Sequence, residues 1–249
     1  MANLRIQVVE DDAIIAMEIA ERLKRMNYDV TGIVATGEEA IRLTEEKTPD
    51  LILMDIRLRG EMDGTEAATR ITSHLDVPVI YLTAYSDYET RERTHQIFSY
   101  GYIIKPFNDQ QLLCAIDMAF SNHALHRKVK ESEEKFRALF EHISDACFLY
   151  EILSDGTPGR IVEVNDAALS LLGMSRNELV GTAYPQLNDI CCKRDFPDFM
   201  QKLLQDGDVR YEMILAGKNG RRPYVEINAH FFNFHNHGMV ISLAREIKT

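Results

Sequence analysis

The sequence has no tryptophan, and only four cysteines and seven prolines among its 249 residues. Cys114, Cys147, Cys191 and Cys192 show no Cys-x-x-Cys spacing and no nearby histidine pair, which argues against a zinc site. They read as free thiols of a reducing compartment, and the adjacent Cys191-Cys192 pair has no third group to support redox chemistry. The amino terminus lacks the apolar core of a signal peptide, and no run approaches the roughly 20 apolar residues of a membrane span. The chain therefore reads as soluble and cytoplasmic, without a membrane partner. Positive charge is scarce too. The net charge is −11, and most of the acid excess lies before Phe120, which argues against a nucleic-acid surface there. Between Asn108 and Ile143 there is neither proline nor glycine.

What is present is a set of short apolar runs that stop at polar groups. Leu51-Ile52-Leu53-Met54 ends at Asp55, and Leu4 to Val9 ends at Glu10-Asp11-Asp12. Val77 to Leu82 ends at Thr83-Ala84, and Tyr102-Ile103-Ile104 at Lys105-Pro106. Unbroken apolar runs suit strands covered on both faces, and the carboxyl ends of parallel strands are where such sheets present their working groups. Amphipathic segments intervene. Ile15, Ile19, Leu23 and Met26 form a helical stripe with Asp12 as its N-cap, and Val30–Ala35 reads as a second strand. Thr36 with Glu39 reads as a capping box. Further helices are expected through Ala67, Ala68 and Ile71, near Tyr88–Ser99, and from Asp109. Strands alternating with helices predict a doubly wound, five-stranded parallel sheet with right-handed crossovers.

Glu10, Asp11, Asp55, Thr83, Tyr102 and Lys105-Pro106 at these intervals resemble the response-regulator receiver domain of two-component signalling, over about residues 1–125. The resemblance implies a flavodoxin-like fold, Asp55 as phosphoacceptor, and a sensor histidine kinase as phosphoryl donor. It implies Mg²⁺ held by Glu10, Asp11, Asp55 and the backbone carbonyl of Arg57. Thr83 and Lys105 would contact phosphoryl oxygens, Thr83 and Tyr102 would form the switch, and Lys105-Pro106 would be cis. Three carboxylates at one place repel, and a hard divalent cation relieves that repulsion. Ala84 leaves room for a phosphoryl group. The segment Arg57–Gly64 is one residue longer than the usual receiver loop and lacks its proline, and Gly60 can absorb the extra residue with a positive φ.

Met118, Asn122, Leu125, Val129, Ser132, Phe136, Leu139 and Ile143 then follow heptad spacing. They predict one continuous helix pairing with a second copy, a homodimer. The competing reading is two helices, each packed on its own domain.

The second half has hairpin signals: Cys147–Leu153 and Arg160–Val164 flank a turn-rich loop, and Lys218-Asn219-Gly220 reads as a turn between Val209–Ala216 and Arg221–Phe231, with a last strand at Gly238–Glu246. Helical segments are expected at Asp166–Leu172 and Arg176–Val180, then looser structure to about Gln205. Glu133–Glu141, Ile161–Ala168, Leu172-Gly173, Leu179-Val180-Gly181 and Ala244–Ile247 resemble a PAS sensor domain. That resemblance implies a five-stranded antiparallel sheet with helices on one face. Domain limits are set at 1–125 for the receiver, 126–140 for a helical connector and 141–249 for the PAS domain. Cys191-Cys192-Lys193-Arg194 does not match a flavin photosensor motif, and no axial histidine occurs in Ile190–Gln205, which argues against flavin and haem. Tyr224, Asn228 and His230 are candidates for a small-molecule pocket; the PAS domain is read as either ligand-binding or interaction-only.

The expected function is that of a phosphoacceptor regulator whose only chemistry is its own phosphorylation and autodephosphorylation. No DNA-binding helix-turn-helix is visible after the receiver. One alternative is the amino-terminal regulatory part of a larger enzyme, a histidine kinase or diguanylate cyclase, because Arg245-Glu246-Ile247 leads into such domains in the family. Another is a haloacid-dehalogenase-type phosphatase, opposed by Arg57 standing where a second acid is needed.

Overall fold

The computed structural model describes residues 3–84, 101–187 and 196–247. The chain forms two compact units, Met1–Glu131 and Ser132–Thr249.

In the first unit β1 (Arg5–Val9), β2 (Asp29–Val34), β3 (Leu51–Asp55), β4 (Val79–Ala84) and β5 (Gly101–Lys105) form one sheet in the order β2-β1-β3-β4-β5. All of its pairings are parallel. The expected five-stranded flavodoxin-like sheet is thus present. Side-chain alternation explains why its strands read as unbroken apolar runs. Leu51 and Leu53 of β3 pack against α1 (Ala13–Arg25) and α4 (Asp109–Glu141), while Ile52 and Met54 pack against α2 (Gly37–Lys47) and α3 (Gly64–His74). Both faces are covered, so polar alternation has no place.

The helix starts follow their capping chemistry. Asp12 accepts from the amides of Ile14 and Ile15, and Thr36 from that of Glu39. The capping box at Thr36 is altered: the Glu39 carboxylate reaches back to the amide of Ala35 instead of Thr36. Sequence reading missed the cap of α3, where Asp63 accepts from the Glu66 amide; the Asp63-x-x-Glu66 pattern carried the signal. The helix expected near Tyr88–Ser99 and the Cys191-Cys192 pair lie outside the described residues.

Helix α4 is continuous from Asp109 to Glu141, 33 residues long, as the first of the two readings requires. The absence of glycine and proline allows it. No helix among the described residues is long and apolar enough to cross a membrane.

The second unit contains β6 (Ala146–Ile152), β7 (Pro158–Val164), β8 (Asp208–Ile214), β9 (Tyr224–Phe234) and β10 (His237–Glu246), paired antiparallel in the order β7-β6-β10-β9-β8. With α5 (Asp166–Leu172), α6 (Arg176–Leu179) and α7 (Phe196–Asp206) it is the expected α+β domain. Two expectations need correction. The looser stretch to Gln205 includes the helix α7, because Phe199, Met200 and Leu203 recur at helical spacing and are buried in the core. The two-residue hairpin turn is His235-Asn236, with φ of 48° and 65°, closing Phe234 onto His237. Asn219-Gly220 sits instead in a longer loop with a 3₁₀ turn.

Candidate functional site

The carboxyl ends of β1, β3, β4 and β5 bring Glu10, Asp11, Asp55, Thr83, Ala84 and Lys105 to one edge of the first sheet. Carboxylate oxygens of Glu10, Asp11 and Asp55 all lie within 4.8 Å of one another. Glu10 is 2% and Asp55 8% exposed. The Lys105 ammonium donates to Glu10 Oε2 and Asp55 Oδ2, each at 2.5 Å. Burial pushes the Glu10 carboxyl up to about 7; the Lys105 hydrogen bond opposes that rise and the nearby Asp55 charge adds to it. For Lys105 burial works downward, but its bonds to Asp55 and Glu10 outweigh burial and hold the ammonium above its ordinary value.

The loop after β3 is shaped around Asp55. The Arg57 amide donates to Asp55 Oδ1 at 3.0 Å. Gly60 has φ +116°, the left-handed conformation anticipated for the long loop. Arg59 Nε lies 3.2 Å from Asp11 Oδ2, a pair that spacing alone did not suggest. Lys105-Pro106 is cis. The Thr83 hydroxyl donates to the Ala84 carbonyl at 3.1 Å, and Tyr102 is half exposed.

Gly64 opens α3 directly against this site. A Cβ placed there would stand 1.8 Å from the backbone oxygen of Asp55. Gly64→Ala must therefore push α3 and the end of β3 apart. A loss of at least about 2 kcal/mol in stability is expected, read from the urea midpoint; a midpoint equal to that of the unaltered protein would show that the contact yields freely.

In the second unit the sheet's inner face and the helices bury Phe148, Tyr150, Tyr184 and Leu203, with Tyr150 and Tyr184 stacked at 3.9 Å. Cys147 is fully buried, and burial pushes its thiol up to about 12; Cys114 is exposed. Of the proposed pocket residues, Asn228 and His230 line a 200 Å³ hollow with Asp208, Arg210 and Ile241, and Tyr224 is not among its lining. The Tyr224 hydroxyl donates instead to Glu212.

A 2-1-3-4-5 parallel sheet with three acids and a lysine at its carboxyl edge, followed by an antiparallel α+β domain, defines the class of protein. Residues 6–117 match the family model of the response regulator receiver domain, and residues 144–247 that of the PAS domain. The transcriptional regulatory protein PdtaR of Mycobacterium tuberculosis is 34% identical over 139 residues, covering 56% of this chain and 66% of that protein. The phyllosphere-induced regulator PhyR of Methylorubrum extorquens is 34% identical over 116 residues, covering 46% of this chain and 42% of that protein. The chain thus spans about two fifths to two thirds of the length of these curated relatives. Among solved structures, the signal receiver domain of a modulated diguanylate cyclase from Desulfovibrio desulfuricans is 34% identical, covers 50% of this chain and 99% of that one, and superposes with a TM-score of 0.48. The chain carries a response-regulator receiver domain of two-component signalling followed by a PAS domain.

Proposed function

We propose that Asp55 accepts a phosphoryl group from a sensor histidine kinase, and that its state is relayed through α4 to the PAS domain of a cytoplasmic homodimer. The observation that carries this reading is the meeting of Glu10, Asp11, Asp55 and Lys105 at one sheet edge. A buried carboxylate beside two others is costly unless cations offset it. The donor set is all oxygen and closely spaced, which fits Mg²⁺, with Glu10, Asp11, Asp55 and the Arg57 carbonyl as its protein ligands. When bound, that ion supplies charge neutralisation at the phosphoryl oxygens.

The remaining chemistry belongs to the chain's own groups. An Asp55 carboxylate oxygen attacks phosphorus, the O–P bond forms as the phosphohistidine N–P bond breaks, and the imidazole nitrogen leaves to take up a proton. Lys105, already in contact with Asp55, follows the phosphoryl oxygens and offsets their charge. Ala84 keeps the approach open. The Thr83 hydroxyl exchanges the Ala84 carbonyl for a phosphoryl oxygen, and Tyr102 turns inward from its half-exposed position. A shift between two pre-existing states needs only a few kcal/mol of differential binding. Attack of water on the acyl phosphate returns the free carboxylate, so the chemistry is self-directed. The domain limits 1–125, 126–140 and 141–249 describe receiver, connector and PAS output, with the PAS domain contacting a protein or small molecule rather than nucleic acid.

The test is incubation with a small phosphodonor and Mg²⁺ followed by intact mass measurement. One phosphoryl adduct is expected, absent from Asp55→Asn and from samples with chelator. Equal labelling of Asp55→Asn would overturn the assignment.

A further inference from the structure

The middle of α4 leaves a line of large apolar side chains exposed. Met118, Leu125, Val129, Phe136 and Leu139 are each more than half exposed, and every residue from Ala124 to Leu139 is exposed. These five fall on one line of the helix with Asn122 and Ser132, in the alternating three- and four-residue steps of a coiled-coil seam. The helix is rotated so that this line faces away from its own receiver. Leu112, Ile116, Ala119 and Phe120 pack into the receiver core. His123 bonds Asp76 at 2.8 Å, and Arg127 lies 3.8 Å from the same carboxylate. All of these lie on the side opposite the seam.

We infer that residues Met118–Leu139 of two copies pair as a parallel, in-register, two-stranded coiled coil, with Asn122 facing Asn122 across the axis. This rests on the homodimer of the proposed function, but not on phosphoryl transfer. In heptad terms Asn122, Val129 and Phe136 take the a positions, and Met118, Leu125, Ser132 and Leu139 the d positions. Val at a with Leu at d favours two strands, and a single a-position Asn selects register because the two amides satisfy each other only when level. The flanking charges agree. In parallel register Lys128 (g) meets Glu133 (e) of the second copy, on both sides of the seam. An antiparallel pair sets Asn122 against either Leu139 or Ser132, and these two registers bring Lys128 toward Lys135 or toward the second Lys128, so like charges come close in both. On the outer side Arg127 pairs with Glu131 at 3.1 Å, one turn on, supporting the helix without competing for the seam.

The experiment uses the full chain. Leu125→Cys and Leu139→Cys should each give a disulfide-linked dimer under mild oxidation, well above the background of the unaltered chain. Arg127→Cys, on the outer side, should stay at background. Sedimentation should give a dimer for the unaltered chain and a monomer for Leu125→Asp/Val129→Asp, which should keep the Mg²⁺-dependent phosphoryl adduct and so be folded. Three results would overturn the inference. A monomeric unaltered chain removes the homodimer as well. A dimer without crosslinks at positions 125 and 139 leaves the homodimer and the phosphoacceptor reading standing but places the contact elsewhere. Preferential linking of Leu125→Cys chains to Phe136→Cys or Val129→Cys chains shows an antiparallel pair.

Discussion

Replacing Asn165 with alanine is expected to lower the melting temperature of the PAS transition by roughly 20 °C while leaving the receiver's transition in place. No other side chain in the second unit serves so many backbone groups among the described residues. Asn165 is fully buried. Its Nδ2 donates to the carbonyls of Phe140 at 3.3 Å, Ile143 at 3.1 Å and Asp145 at 3.0 Å, and its Oδ1 accepts from the amides of Cys147 at 2.8 Å and Ala168 at 3.0 Å. One amide therefore closes the end of α4, fixes the start of β6 and caps α5. Losing the cap costs about 1 kcal/mol. Each buried group left without a partner costs about 1–3 kcal/mol, so a total on the order of 4 kcal/mol is expected. Calorimetry of the full chain checks it; a PAS midpoint within a few degrees of the unaltered protein would show that water or backbone movement replaces the amide. The same corner is held by Arg176, which bonds Glu141 at 2.7 Å and also reaches Glu163, and by Arg245, which grips Asp145 with two bonds of 2.9 Å. The carboxyl end of α4 is thus linked through Arg176 to Glu163 of β7, and the segment that follows it through Asp145 to Arg245 of β10.

The second large effect is expected at Lys105. Lys105→Met should slow phosphoryl adduct formation by about 100-fold or more, the usual cost of deleting one donor aimed at developing charge. Mg²⁺ affinity should move the other way and tighten. The Lys105 ammonium occupies Oε2 of Glu10 and Oδ2 of Asp55, so removing it frees both oxygens and leaves those two carboxylates without a cation, Arg59 still facing Asp11. A divalent ion titration, followed by calorimetry, measures the affinity, and phosphodonor incubation measures the rate. Parallel loss of both would mean that Lys105 only holds the edge together. An unchanged rate would remove it from the phosphoryl site.

The parts legible in the sequence were those in which one local rule decided the outcome. The apolar run before Asp55 marked a strand covered on both faces. Asp12 and Thr36 marked helix starts, and Gly60 marked a position inside the long loop able to take a positive φ. The parts that were not legible depend on a second segment. Asn219-Gly220 has the better hairpin composition, yet the tight turn went to His235-Asn236, because pairing along β9 and β10 sets where the chain reverses. The ion pair of Arg59 with Asp11 bridges separate loops, and no periodicity announces it.

By itself the sequence determined the order and type of most described elements, the parallel sheet that carries Glu10, Asp11, Asp55 and Lys105, and the heptad line along α4, because strand runs, caps and side-chain periods act over a few residues. Only the tertiary structure decided that Lys105 bonds Glu10 and Asp55 together, that one asparagine closes three elements, and which side of α4 is left uncovered. Those outcomes depend on distances between segments far apart in the chain, which are set only when the helices pack onto each sheet.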